Sequence, residues 1–213
     1  MPESQAHGFI WEKSVLEGVY GIFNTQQGGS YTRKHDVPAN ENMIDHVNVS
    51  IKTAGGKSVD MGDARRVFDA AKNEPMTLLV LQYKQEGAEK VLKNVLEIDL
   101  TSSTEELFGE VTLAEISELH EYIRNIPPGT ASLGIREEYK QRARQLNSKS
   151  GALQFRPKVD SKNQRRLQCS FPDIGAFCQR WPTRIKSQNP TGIFKGVQLP
   201  LRILSTVRAR LPR

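Results

Sequence analysis

The stretch Val47-Asn-Val-Ser-Ile-Lys-Thr-Ala-Gly-Gly56 alternates apolar and polar side chains and then reaches two glycines. Three apolar residues share one face of an extended chain and three polar residues share the other: Val47, Val49 and Ile51 against Asn48, Ser50 and Lys52. This alternation predicts a β-strand over about residues 43–53 with one buried face, and the glycine pair predicts a turn after it.

The segments around this strand carry patterns of their own. Apolar residues recur at helical spacing over residues 4–20, and a helix is predicted over about residues 61–72, with Val67 and Phe68 facing the core. The continuous apolar run at 76–83 predicts a central strand covered on both faces, with residues 90–100 pairing beside it. These elements predict an α/β (α+β) fold in which a mixed central β-sheet is flanked by helices.

The second half of the chain continues this mixture. Thr112 and Glu115 form a capping-box pattern that opens a helix through Ile123, and Pro127-Pro128-Gly129 ends that unit. A basic amphipathic helix is predicted over residues 131–146, followed by strands near 154–159 and 165–171, a short helix near 174–181 and strands near 192–204. We therefore expect a core over residues 1–126 and a basic region over 127–213, packed together as one compact unit.

Length and composition favour a globular protein with one sizeable core. The chain has 213 residues, with 37% hydrophobic and 25% charged residues, and no apolar run approaches the roughly 20 residues of a membrane span. Residues 1–7 lack the apolar segment of a signal peptide, which predicts an intracellular, cytoplasmic protein, associated with the nucleoid if bacterial. Cys169 and Cys178 are expected to be reduced, and the four histidines show no zinc-ligand spacing.

The charge is distributed unevenly along the chain. Residues 1–130 contain 12 basic and 20 acidic side chains, whereas residues 131–213 contain 18 basic and 4 acidic ones. A region so rich in Lys and Arg, interleaved with apolar and aromatic residues, indicates a surface that neutralises nucleic-acid phosphates. The alternative is a basic region that only keeps the protein soluble.

Acidic residues flank the alternating strand. Asp36 precedes it, and Asp60 and Asp63 follow it. Mg²⁺ prefers carboxylate and phosphate oxygens, and a neighbouring lysine can orient a water and offset developing charge. Because Ser50 and Lys52 share one face of their strand, an ion held by Asp36 would meet both of them.

This order of residues resembles the PD-(D/E)XK nuclease superfamily, in which an Asp opens a hairpin and an acid-x-Lys follows on the next strand. Asp36 matches the Asp, with His35 in place of the usual Pro, and Lys52 matches the lysine. Ser50 stands where the family has its second acid. Some restriction endonucleases of the family take that acid from the following helix, which points to Asp63, with Asp60 as the alternative.

The resemblance covers about residues 8–85 and extends to Glu12, which is similar to the helix glutamate that joins the metal site in the resolvase-like branch. It implies a double-stranded DNA endonuclease that uses Mg²⁺, with Mn²⁺ able to substitute. The implied enzyme is most like a type II restriction endonuclease. An enzyme of that class is expected to act as a homodimer and to have a companion DNA methyltransferase that acts on the same site. A structure-selective, Holliday-junction resolvase-like nuclease and a non-catalytic nucleic-acid-binding protein are the alternatives.

Each of these residues also has a structural interpretation. Asp36 before Val-Pro suits a turn, Lys52 suits an exposed strand position, Asp63 suits the start of a helix, and Glu12 suits a solvated helix face. Asp45 could replace Asp36 as the metal acid, although it lies only five residues before Ser50, which leaves little room for a hairpin. If no second acid reaches the ion, the resemblance implies a weak or inactive nuclease.

Alternation in the basic region places Arg166, Gln168 and Ser170 on one face of a strand, where Arg and Gln can bond the edges of guanine and adenine in the major groove. Contact with phosphates alone is the alternative. The predicted DNA-binding residues are Lys140, Arg142, Arg144, Lys158, Lys162, Arg165, Arg166, Gln168, Ser170, Arg184 and Lys186.

Overall fold

The computed structural model describes residues 3–23, 35–127, 129–159 and 165–204. The helices are α1 Glu3–Gly18, α2 Ala64–Asn73, α3 Thr104–Phe108, α4 Leu113–Arg124, α5 Leu133–Lys149 and α6 Ile174–Arg180, with a 3₁₀ turn at Pro182–Arg184. The longer strands are β1 Asn48–Ala54, β2 Val59–Asp63, β3 Met76–Glu86, β4 Glu89–Asp99, β5 Gln154–Val159, β6 Arg165–Phe171 and β7 Ile185–Asn189. Three short strands follow: β8 Ile193–Phe194, β9 Val197–Gln198 and β10 Arg202–Leu204.

The chain divides into two compact units that interleave along the sequence. The first comprises residues 1–56, 76–99 and 181–213, and the second comprises residues 57–75 and 100–180. The expected division at residue 126 therefore falls inside the second unit. The sequence did not indicate this interleaving, because each unit is formed by segments that lie far apart in the chain.

The first unit is built on a mixed five-stranded sheet in the order β1-β3-β4-β10, with β7 also pairing with β4. β1 and β3 are parallel, and the other pairs are antiparallel. The buried face of β1 packs with α1, where Trp11 and Val15 join Val49, Ile51 and Leu79 in one apolar cluster. The predicted strands at 43–53, 76–83 and 90–100 are confirmed in type, and so is the pairing of the last two, whereas the first strand begins only at Asn48.

The second unit has a three-stranded antiparallel sheet in the order β2-β6-β5. Helix α4 packs on β6, α5 packs on β5, and α2 packs on β2 and α4. Three phenylalanine rings contact one another within this unit. The ring centroid of Phe108 lies 4.9 Å from that of Phe68 and 6.0 Å from that of Phe155. The capping box at Thr112 and Glu115 is confirmed, with hydrogen bonds in both directions.

The start of the second helix differs from the sequence-based prediction. The helix expected from residue 61 begins at Ala64, because Val59–Asp63 pairs with β6 as strand β2 and Asp63 caps the helix. Strand β7 and the short helix α3 were not predicted. None of the helices in the described part of the chain is long and apolar enough to cross a membrane.

Candidate active site

Asp36 lies beside the free edge of β1. The next residue, Val37, makes an isolated antiparallel bridge with Val49, with N–H···O distances of 3.0 and 2.8 Å. The Asp36 Oδ2 atom accepts hydrogen bonds from the backbone N–H of Ile51 at 2.6 Å and from Ser50 Oγ at 3.3 Å. The carboxylate therefore takes the place of a backbone acceptor along β1, and its position is set by the strand.

Ser50 and Lys52 project from the same face of β1 toward this carboxylate. The Lys52 Nζ atom lies 3.8 Å from Asp36 Oδ2, and both side chains are partly buried. Three of the predicted site residues, Asp36, Ser50 and Lys52, thus meet in the folded chain.

Glu12 joins them from α1, one position after the buried Trp11. Burial and then the negative charge of Asp36 raise the pKa of Glu12 to about 7, while the positive charge of Lys52 opposes the shift. Since the charges of Asp36 and Lys52 both act on its carboxyl, Glu12 belongs to the same electrostatic cluster. We call Glu12, Asp36, Ser50 and Lys52 the β1-edge cluster.

The two acids expected to complete a metal site lie in the second unit. Asp63 is the N-cap of α2: its Oδ1 accepts from the N–H groups of Arg65 and Arg66 at 3.0 and 3.2 Å. Its Oδ2 is 3.6 Å from His120 Nδ1. Asp60 is exposed, and its Oδ1 accepts from Gly62 N at 2.9 Å. Asp63 therefore has the capping role that its position at a helix start also suggested.

Glu12 and Asp36 are the residues of the β1-edge cluster that could hold a small divalent cation. If both carboxylates ionise, a single lysine leaves one negative charge uncompensated, and a cation bound by them would favour the ionised form of both. The described residues contain no group of three or more His, Cys, Asp or Glu side chains placed to hold an ion. Mg²⁺ does not require one, since it often takes one or two carboxylates and completes its shell with water and substrate phosphates.

Part of the predicted DNA-binding set forms one face of the second unit's sheet. Lys158 lies opposite Arg166, and Arg156 lies opposite Gln168, while the alternate residues such as Leu167 are buried. With its amide oriented so that the oxygen faces the guanidinium, Gln168 accepts from Arg166 Nε and Nη2 at 3.1 and 2.8 Å. We call Arg156, Lys158, Arg166 and Gln168 the basic sheet face. Arg156 was missed as a site residue, although alternation along β5 was enough to find it.

Two predicted DNA contacts have surroundings that the sequence did not indicate. Ser170 is only 3% exposed, whereas Arg166 and Gln168 on the same strand are half-buried. Lys186 in the first unit is held by acids: its Nζ lies 3.2 Å from Asp45 Oδ2 and 3.5 Å from an oxygen of the buried Glu97. Lys195 bridges the same two carboxylates at 3.3 and 3.4 Å.

This arrangement also settles the role of Asp45 within the first unit. Burial works against its ionisation, yet the hydrogen bond from Lys186 and the charges of Lys186 and Lys195 together lower the pKa of Asp45. Asn42 adds a further hydrogen bond to Asp45 at 2.7 Å. The Asp45 carboxylate is thus part of an ion-pair network with Lys186 and Lys195.

The cations of α5 are largely neutralised by neighbours on the same surface. Lys140 pairs with Glu137 at 2.8 Å, and Arg142 pairs with Glu138 at 2.8 Å and lies over the Tyr122 ring. Arg144 is exposed, while Arg165 and Arg184 are half-buried. Lys162 lies outside the described residues.

Comparison of the chain with protein-family models, curated proteins and solved structures finds no match. The case for a function therefore depends on the geometry of the β1-edge cluster and on the charge of the basic sheet face.

Proposed function

We propose that the chain is a Mg²⁺-dependent endonuclease that hydrolyses phosphodiester bonds in double-stranded DNA, with a PD-(D/E)XK-type site at the β1-edge cluster. The observation that carries the proposal is the convergence on Asp36 Oδ2 of the Ile51 N–H, the Ser50 hydroxyl and, at 3.8 Å, the Lys52 ammonium. A carboxylate that can hold a cation and a lysine beside it are two of the parts that this chemistry uses.

Asp36 and Glu12 are the residues that would hold the cation. Such an ion, when bound, would polarise the phosphate and lower the pKa of a coordinated water. Glu12 is proposed as the second acid because its pKa responds to Asp36 and Lys52, so it lies within their electrostatic reach. The role of Asp63, or of Asp60, as a metal ligand remains a prediction that substitutions can test.

Lys52 supplies the positive charge of the site. An ammonium beside the attacked phosphate offsets the negative charge that develops on its oxygens, and it orients a water by hydrogen bonding. Ser50 does not replace the missing acid as a ligand in this proposal. Its hydroxyl instead donates to Asp36 Oδ2 and helps to fix the carboxylate.

The basic sheet face supports DNA as the substrate. Arg156, Lys158 and Arg166 lie on one face of two adjacent strands, with Lys158 opposite Arg166, and cations grouped in this way can contact backbone phosphates. Arg166 is held by Gln168, so its guanidinium is oriented before binding. Sequence-specific cutting of both strands, as in type II restriction enzymes, would call for a two-fold dimer.

The proposal is tested by incubating the purified protein with linear duplex and with a four-way junction, in Mg²⁺ or in EDTA. Discrete duplex fragments that require Mg²⁺ support a restriction-type enzyme, and cuts confined to the junction support the structure-selective alternative. Binding without cleavage in Mg²⁺ and Mn²⁺ would contradict the nuclease and leave a nucleic-acid-binding protein.

A further inference from the structure

Asn48 begins β1 and has a side-chain contact that links the strand to the Asp36 segment. Its Oδ1 accepts a hydrogen bond from the backbone N–H of Ala39 at 2.8 Å. Asn48 lies on the polar face of β1, in line with Ser50 and Lys52. It was not among the residues assigned to the site.

The segment from Asp36 to Ala39 is attached to β1 at three successive points. Asp36 Oδ2 accepts from Ile51 N, Val37 exchanges two backbone hydrogen bonds with Val49, and Ala39 donates to Asn48. The carboxylate of Asp36 is the first of these attachments, and the Asn48 amide is the last.

The carbonyl of Val47 explains why a side chain is used at the last point. In an antiparallel ladder the residues that bond the partner strand are two apart, so after the Val37–Val49 pair the next donor facing β1 is Ala39 N, and its backbone acceptor would be Val47 O. Val47 O instead accepts from Asn42 Nδ2 at 2.8 Å, and the Asn48 amide oxygen meets Ala39 N. Without the Asn48 acceptor, the segment would keep its contacts at Asp36 and Val37 but would lose the one at Ala39.

We propose that Asn48 is a positioning residue for Asp36: by fixing Ala39, it holds the Asp36 carboxylate on Ile51 N and beside Lys52. This inference rests on the proposed nuclease function for its consequence in catalysis, but the contact itself does not depend on that function. Displacement of a reacting group by about 1 Å can lower a rate by about 100-fold.

Three substitutions separate positioning from general packing. Asn48→Leu and Asn48→Ala both remove the acceptor, with and without added apolar bulk, and Asn48→Asp keeps an oxygen that can accept from Ala39. The matched control is Asn189→Leu in the same unit, because Asn189 Oδ1 also accepts a backbone N–H, that of Thr191 at 2.8 Å.

Two measurements are made on each protein. The first is the kcat and KM of Mg²⁺-dependent duplex cleavage, and the second is amide hydrogen exchange at Ile51 relative to Leu79 on the central strand β3. We expect Asn48→Leu and Asn48→Ala to lower kcat by about tenfold or more with little change in KM, and to accelerate exchange at Ile51 but not at Leu79. Asn48→Asp and Asn189→Leu should stay within about threefold of the parent kcat.

The inference is overturned if both acceptor-free variants keep the parent kcat and the parent Ile51 exchange. It is also overturned if exchange rises equally at Ile51 and Leu79, since that would indicate general destabilisation. If the parent protein itself cleaves nothing, the proposed function fails, and the selective change at Ile51 alone then decides whether Asn48 positions Asp36.

Discussion

The carboxylate of Asp36 performs two tasks at once. It accepts the Ile51 N–H at 2.6 Å, and it places a negative charge 3.8 Å from the Lys52 ammonium. A charged acceptor makes a stronger hydrogen bond to a backbone N–H than a neutral one does. The residue that suits a turn before Val-Pro is therefore also the one around which the candidate site is assembled.

Asp63 should behave as a helix cap in stability measurements. Asparagine caps helices as well as aspartate does, so Asp63→Asn is expected to change the free energy of unfolding by less than about 0.5 kcal/mol. Asp63→Ala removes the acceptor of Arg65 and Arg66 N–H and should cost about 1 kcal/mol. Urea unfolding of the three proteins measures the difference, and equal stability of Asp63→Ala and the parent would refute the capping role.

At the level of elements, α4 and α5 are joined by an ion pair that also closes a capping box. Glu115 accepts from the Thr112 N–H at 2.9 Å and pairs with Lys149 at the end of α5. The hydrogen bond from Lys149, followed by those from Thr112, lowers the pKa of Glu115 to about 2. One carboxylate thus stabilises the start of one helix and the end of another.

This pKa predicts an acid-sensitive contribution to stability. Because the folded pKa lies below the value near 4.5 expected for an unfolded Glu, the contribution is complete above that value and is lost as the pH falls toward 2. Lys149→Met should lower stability at pH 7 and flatten the decline of stability between about pH 4.5 and 2. Parallel pH titrations of the unfolding free energy test this, and identical slopes for both proteins would contradict it.

For the whole molecule, the basic residues of 131–213 fall into two groups, those paired with acids and those grouped on one sheet face. Part of it is neutralised locally, as at Lys140 with Glu137 and at Lys186 with Asp45 and Glu97. The basic sheet face, in contrast, presents three cations on adjacent strands. Net charge alone does not distinguish these two groups of cations, whereas the ion pairs in the folded chain do.

The salt dependence of DNA binding should separate the two groups of cations. Lys158→Ala and Arg166→Ala are each expected to reduce the slope of log K against log salt concentration by about 0.9, as one phosphate contact is lost. Lys140→Ala, whose ammonium is already paired with Glu137, should leave the slope unchanged. The titrations are run in EDTA to prevent cleavage, and equal slopes for all four proteins would refute the assignment of the basic sheet face.

Local patterns predicted the elements well, because alternation, apolar runs and the capping box are short-range signals. The resemblance to the PD-(D/E)XK motif selected Asp36, Ser50, Lys52 and Glu12, and the folded chain places the first three in contact and Glu12 within reach of their charges. Long-range pairings were not predictable in this way. The β2–β6 pairing that leaves Asp63 at a helix start, and the burial of Ser170, both depend on segments about 100 residues apart.

The central claim is tested most directly by comparing duplex cleavage by the parent, Asp36→Asn, Lys52→Ala and Asp63→Asn proteins in Mg²⁺. The β1-edge cluster predicts that Asp36→Asn and Lys52→Ala lose about 100-fold or more in rate, while Asp63→Asn stays within about threefold of the parent. Full activity of Asp36→Asn or Lys52→Ala would contradict the site, and loss of activity in Asp63→Asn with unchanged stability would move the second acid to the second unit.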